Sequence, residues 1–119
     1  MALRGIGIDI VDVARFSRLV ERGGERFIAR WFTVEEAGSY RGTQALAAGF
    51  AAKEAVFKAL AVDWEGRGVP WAAIGIVGGE VHLGAELATM AEEFGIGRVW
   101  VRTTPGSVVA TAVAFAELA

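Results

Sequence analysis

From Leu3 to Val11 the chain alternates: Ile6, Ile8 and Ile10 point to one side, and Gly5, Gly7, Asp9 and Val11 to the other. A period of two marks a β-strand. The period then lengthens. Phe16, Leu19 and Val20 recur at helical spacing within 12–22, with Asp12 near the start, where the helix dipole favours an acid, and Gly23-Gly24 at the end. Phe27, Ile28 and Trp31 give a short second helix over 25–32, and Thr33 with Glu36 three residues on is a capping box that opens a third. The clearest helix spans 44–61 and is rich in Ala, Leu, Glu and Lys. Asp63 to Gly68 reads as a loop in which Asp63 and Glu65 are solvated carboxylates. Trp71–Val77 and Glu80–Leu83 read as strands joined by a Gly78-Gly79 hairpin. Residues 85–94 form an amphipathic helix stopped by Gly95, and Arg98–Thr103 and Val108–Glu117 close as a hairpin across Thr104-Pro105-Gly106-Ser107. No repeat, linker or low-complexity segment interrupts the pattern. The class is α+β: an antiparallel sheet packed on one long helix.

With 119 residues the chain has room for one ordinary domain. It has no cysteine, which excludes disulfides, thiolate nucleophiles and Cys-ligated metals. The single histidine, His82, excludes multi-His metal clusters and reads as an ordinary strand residue. No apolar run reaches the ~18 residues of a membrane span, and no basic-then-apolar leader follows Met1. We therefore expect a soluble, cytoplasmic protein with no membrane partner. Apolar residues make up 54% and mean hydropathy is +0.42, high for a small soluble domain. Either a face is buried against a partner subunit or the excess reflects an alanine-rich genome. A net charge of −2, with no RNA or DNA motif, argues against nucleic acid. Trp31, Trp64, Trp71 and Trp100 read as packing residues.

Three groups could carry chemistry. Asp is depleted in strands, yet Asp9 follows Gly-Ile-Gly-Ile on the glycine side of one. Two glycines leave space there, where a carboxylate could hold a metal ion or approach a phosphate ester through one; capping of the next helix is the alternative. Lys53 and Lys58 are the only lysines beside ten arginines, and an ammonium, unlike a guanidinium, can transfer a proton. Glu54 and Lys58 share a helix face, as an exposed pair would. Lys53 falls inside the apolar stripe with Leu46, Phe57 and Leu60, so it must snorkel or find an anion, phosphate being one candidate. One Asp, one Glu and two Lys in this arrangement suit Mg²⁺ and a diphosphate.

Gly5-Ile6-Gly7-Ile8-Asp9-Ile10-Val11, with Arg15 after it, resembles the N-terminal motif of the holo-acyl-carrier-protein synthases. Phe50-Ala51-Ala52-Lys53-Glu54-Ala55-Val56-Phe57-Lys58-Ala59-Leu60 resembles their second motif, on the long helix. The two motifs occur in the family's order on the expected strand and helix, and the resemblance covers nearly the whole chain, weakly outside them. It implies a single phosphopantetheinyl transferase-like domain over 1–119. It also implies transfer of the 4′-phosphopantetheine arm of coenzyme A to a serine of an acyl carrier protein, with Mg²⁺ as cofactor and release of adenosine 3′,5′-bisphosphate, in fatty-acid biosynthesis. Asp9 and Glu54 would be the metal ligands and, with Lys58, the catalytic set. Lys58 would help activate the serine or assist proton transfer. Lys53 and Lys58 would contact coenzyme A.

Two segments depart from the family. Gly49 stands where a basic residue usually precedes the second motif. Val101-Arg102-Thr103-Thr104-Pro105 stands where Val-Ser-Leu-Ser-His is usual. Arg102 is expected to replace the lost cationic contact to coenzyme A. These departures favour a competing reading, a non-catalytic carrier-binding or scaffold module in a fatty-acid or polyketide pathway; Asp9, Glu54 and Lys58 together argue against it. The resemblance further implies a homotrimer with coenzyme A sites at subunit boundaries, because a single copy must find half its site on a neighbour. Finally, Arg15, Arg18 and Arg22 form one stripe on the first helix. Such a stripe would steer an acidic carrier protein; the alternative is a solvated face balanced by Asp12, Glu21 and Glu25.

Overall fold

A computed structural model of the chain describes residues 2–64 and 68–119; Glu65, read above as a solvated loop carboxylate, lies outside them. The alternating segment forms strand β1 (Leu3–Asp12). Asp12 caps helix α1 (Val13–Trp31), its carboxylate accepting from the Arg15 backbone N–H at 2.9 Å. The two helices expected across Gly23-Gly24 run as one that breaks at Gly24, where φ 57° and ψ −144° are not helical. Helix α2 (Val34–Ser39) opens on the expected capping box: Glu36 N donates to Thr33 Oγ1 at 3.1 Å and Thr33 N to Glu36 Oε1 at 2.8 Å. The long helix, α3, spans Gly42–Leu60.

Where a strand was expected from Trp71, a short 3-10 turn (Trp71–Ala73) precedes β2 (Ile74–Val77). Ala73 N bonds back to Pro70 O at 2.8 Å and Ile74 N to Trp71 O, and the Trp71 carbonyl also accepts from the Lys53 ammonium. Then follow β3 (Glu80–Leu83), α4 (Ala85–Glu93), β4 (Ile96–Thr104) and β5 (Val109–Leu118). The β2–β3 turn uses Gly78 and Gly79 at φ 60° and 78°, a left-handed pair that only glycine adopts freely.

The strands form two antiparallel sheets, one ordered β1-β5-β4 and the other β2-β3. Helix α3 lies across the first. Its buried residues include Ala47, Ala48, Ala51, Ala52, Ala55 and Ala59, and they meet Ala110, Ala112, Ala114 and Ala116 of β5. Much of the alanine content therefore builds a seam of small side chains between helix and sheet. The seam is closest at β1. A Cβ on Gly7 would stand 1.9 Å from the Ala55 carbonyl oxygen, and one on Gly5 2.4 Å from that of Ala59. The space left by the glycines is thus filled by the backbone of α3, which corrects the expectation of a vacancy beside Asp9.

The opposite side of that sheet is apolar and open. Ile6, Ile8 and Ile10 are 61, 62 and 65% exposed. In register with them across β5 stand Phe115, Val113 and Thr111. The tryptophans pack as expected: Trp31 stacks on Trp71 at 4.4 Å, Trp64 meets Phe57 edge-on, and Trp100 lies 5.9 Å from Phe115. No described helix is long and apolar enough to cross a membrane.

Candidate active site

Because α3 sits so close to β1, residues on the two elements that are distant in sequence come together. Asp9, on the helix side of the strand, is only 13% exposed. It caps no helix, since Asp12 does that. The Lys58 ammonium reaches across from α3 and donates to Ile8 O at 3.0 Å and to Asp9 Oδ1 at 3.2 Å. At 52% exposed, Lys58 stands at the rim. Glu54, one turn earlier on α3, shares a cavity of about 390 Å³ with Asp9; Asp12, Arg15, Phe16, Leu19 and Phe50 form other parts of its wall, Asp12 being engaged in capping α1. The structure thus brings Asp9, Glu54, Lys58 and Arg15 together. Arg18 and Arg22 are exposed further along α1, before the Gly24 break.

Burial first, and the neighbouring Asp9 carboxylate second, push the Glu54 carboxyl up to about 6; Lys58 opposes the rise. Two mutually repelling carboxylates beside one partly solvated ammonium are a hard-oxygen donor set short of positive charge. No third Asp, Glu, His or Cys completes a metal cluster among the described residues. This suits Mg²⁺, which is commonly held by one or two carboxylates and completes its octahedron with water and substrate phosphate.

The raised pKa has a consequence for stability. Between the ordinary 4.5 and about 6 the folded chain holds the Glu54 proton more tightly than the unfolded chain does. Without a cation, stability should therefore fall as pH rises through that window. A cation opposes this only where Glu54 is ionised. We expect Mg²⁺ to raise the melting temperature more at about pH 7.5 than at about pH 5; equal gains by calorimetry would show that Glu54 is not involved.

Lys53 does not join the site, and its expected contact with a diphosphate is corrected. Its side chain is 0% exposed, and the anion it finds is Glu36, equally buried, at 2.5 Å. The ammonium also donates to Trp71 O at 3.1 Å and to Ile74 O. Burial pushes the Lys53 pKa down, and Glu36 works against that. Sequence reasoning saw Glu36 as a capping residue and missed that the same carboxylate is buried.

Arg102 stands on β4, across the sheet from β1, in register with Val113 and Ile8 on the open face. With Tyr40, Ala48, Gly49, Ala52 and Thr103 it lines a second cavity, of about 340 Å³. At about 100° per residue, Ala45, Ala48, Gly49 and Ala52 all fall at least 120° from Glu54 around the helix. The structure also accounts for Gly49: a Cβ there would stand 2.4 Å from the Tyr40 ring, which occupies the place of a side chain. Tyr40 was not singled out in the sequence, though it falls one turn after Glu36. Its hydroxyl donates to Ile76 O at 2.6 Å and lies 3.3 Å from Glu36 Oε2. Burial and Glu36 push its pKa up.

An α+β fold that faces two carboxylates across one cavity, with an ammonium paired to one of them and an arginine in the wall, has the groups that binding and transfer of a phosphoryl group call for. Residues 5–91 match the model of the 4′-phosphopantetheinyl transferase superfamily. A holo-[acyl-carrier-protein] synthase of Geobacter sulfurreducens is 35% identical over 122 aligned residues, covering 95% of this chain and 96% of that protein. The structure of holo-[acyl-carrier-protein] synthase from Neisseria meningitidis superposes with a TM-score of 0.86 at 34% identity, over 98% of this chain and 99% of that one. The Helicobacter pylori holo-[acyl-carrier-protein] synthase, solved in complex with coenzyme A, gives 0.79 at 28% identity, over 94% and 99%. The chain belongs to the 4′-phosphopantetheinyl transferase superfamily. It is a transferase, and the reading as a non-catalytic module is set aside.

Proposed function

We propose that this chain transfers the 4′-phosphopantetheine arm of coenzyme A to a serine of an acyl carrier protein, as a holo-acyl-carrier-protein synthase does. The observation that carries the reading is the meeting of Asp9, Glu54 and Lys58 at the β1–α3 seam in a chain of this superfamily. The serine oxygen bonds to the β-phosphorus of coenzyme A, in line with the departing oxygen. The bond to the adenosine-side phosphate breaks, and adenosine 3′,5′-bisphosphate leaves. Mg²⁺ bound by Asp9 and Glu54 would offset charge on the diphosphate. Lys58, half exposed at the rim beside Asp9, is placed to assist transfer of the serine proton and to face the charge on the leaving phosphate. Incubation of an apo carrier protein with this chain, coenzyme A and Mg²⁺ should release adenosine 3′,5′-bisphosphate in proportion to the carrier added. Release independent of the carrier would indicate hydrolysis and refute the reading.

The working enzyme is read as a homotrimer with its coenzyme A sites at subunit boundaries. Two observations support this. The outer sheet face carries Ile6, Ile8, Ile10 and Val113 in the open, an apolar patch of the kind that marks an interface. The carboxylate cavity and the Arg102 cavity lie on opposite sides of α3, an arrangement that suits a site completed by a neighbouring copy. Arg102 then serves the nucleotide end of a neighbour's coenzyme A. Ile8→Glu should give a monomer by light scattering and lose transfer with the fold retained; a wild-type chain that is monomeric at micromolar concentration would contradict the assembly.

The carrier protein docks on α1. Arg15 stands at the mouth of the carboxylate cavity, and Arg18 and Arg22 continue from it along the exposed helix. A cationic stripe leading into the site orients an acidic partner despite the overall charge of −2. Arg22→Glu should raise the KM for the carrier about tenfold at low salt and flatten its salt dependence, with coenzyme A affinity unchanged. Carrier kinetics that stay constant across a salt series would place docking elsewhere. This reading puts the chain in the cytoplasm, serving fatty-acid biosynthesis.

A further inference from the structure

We infer that the buried Glu36–Lys53 pair is the positioning device of the cation site, fixing the turn of α3 that presents Glu54 to Asp9. The inference rests on the reading of Asp9 and Glu54 as cation ligands. Lys53 and Glu54 are consecutive, so their side chains leave α3 about 100° apart. One reaches α2 and the segment leading into β2; the other opens into the cavity shared with Asp9.

An ammonium has three N–H donors. Those of Lys53 go to Glu36 Oε1, Trp71 O and Ile74 O, and the ring of Phe32 lies 5.4 Å away. Glu36 is as fully used: its carboxylate accepts from Thr33 N at 2.8 Å, from Ile76 N at 2.9 Å and from Lys53. The Tyr40 hydroxyl adjoins it. One buried point therefore ties the start of α2, the middle of α3, the 3-10 turn and β2. No buried side-chain polar atom among the described residues is left without a partner.

Stability alone does not call for such a pair, since an apolar pair of similar volume is often as stable or more so. What the pair adds is direction. The alanine seam and the glycines of β1 set how near α3 comes to the sheet. Small side chains interlock shallowly, however, and resist rotation of the helix about its axis only weakly. Three hydrogen bonds from one ammonium to fixed acceptors resist it strongly. A rotation of α3 that freed Lys53 would swing Glu54, the next residue, out of line with Asp9. Outer-shell groups that orient a ligand typically change metal affinity by 10- to 100-fold when removed.

The test measures Mn²⁺ affinity by electron paramagnetic resonance, alongside melting temperature and kcat, in the full chain and four variants. Lys53→Met should weaken Mn²⁺ binding at least about tenfold and lower kcat with the KM for the carrier unchanged. Tyr40→Phe keeps the ring under Gly49 and loses one hydroxyl; it should weaken Mn²⁺ binding several-fold, and it carries the test if Lys53→Met does not fold. Leu87→Ala, in the buried face of α4, should lower the melting temperature and leave Mn²⁺ affinity as in the wild type. Wild-type affinity in Lys53→Met, or in Tyr40→Phe where that variant carries the test, would reduce the pair to a structural role and overturn the proposal. So would a loss of affinity in Leu87→Ala equal to that in Lys53→Met. Asp9→Asn separates the two readings: it should abolish tight Mn²⁺ binding, and if it does not, the cation-site reading fails and takes the proposal with it.

Discussion

Alanine at Asp9 or at Glu54 is expected to lower kcat for arm transfer about a thousandfold, with the melting temperature within a few degrees of wild type. The two effects separate because of where these side chains sit. Asp9 loses one ion pair to a half-exposed lysine, a contact that contributes at most about 1 kcal/mol. Glu54 is a carboxylate whose burial and neighbour already work against its charge, so its removal relieves the fold. Among the described residues no third acid joins these two closely enough to hold a cation, Asp12 in the cavity wall being engaged in capping α1, and loss of either leaves water in place of a charged ligand. Full activity in both variants would remove the assignment.

Gly7→Ala should also cut turnover sharply, though it changes no functional group. Its Cβ would stand 1.9 Å from a backbone oxygen and 2.9 Å from the Lys58 Cβ. A backbone contact cannot be relieved by a rotamer change, so α3 must move off β1. Overpacking of this kind costs about 3 kcal/mol. The displaced segment carries Glu54 and Lys58, and a misplacement of about 1 Å can cost about a hundredfold in rate. We therefore expect transfer to fall far more than the folded fraction at a temperature where the variant is still native. Activity that simply tracks the folded fraction would show that the seam does not position the site.

Most of the elements were legible because each is written locally. The alternation of β1, the Thr33–Glu36 capping box, the alanine-rich α3 and the Gly78-Gly79 hairpin are short-range signals. Asp9, Glu54 and Lys58 were legible as a set through two motifs. What the sequence did not carry is which long-range partner claims each group. Gly5 and Gly7 read as empty space, yet a helix some fifty residues on lies against them. Lys53 in an apolar stripe had to find an anion; the choice between a ligand phosphate and Glu36 depended on how α2 packs on α3. Gly49 looked like a lost basic residue and proves to make room for Tyr40. The strand expected from Trp71 gave way to a 3-10 turn whose Trp71 carbonyl accepts both from Ile74 N and from Lys53, a partner distant in sequence.

The central claim is that this chain moves a phosphopantetheine group, and the intact mass of the carrier protein tests it most directly. An apo carrier incubated with this chain, coenzyme A and Mg²⁺ should gain the mass of one phosphopantetheine group. It should gain nothing when the chain carries Asp9→Ala or when the acceptor serine of the carrier is alanine. A carrier that keeps its apo mass with the wild-type chain, while binding it, would contradict the account.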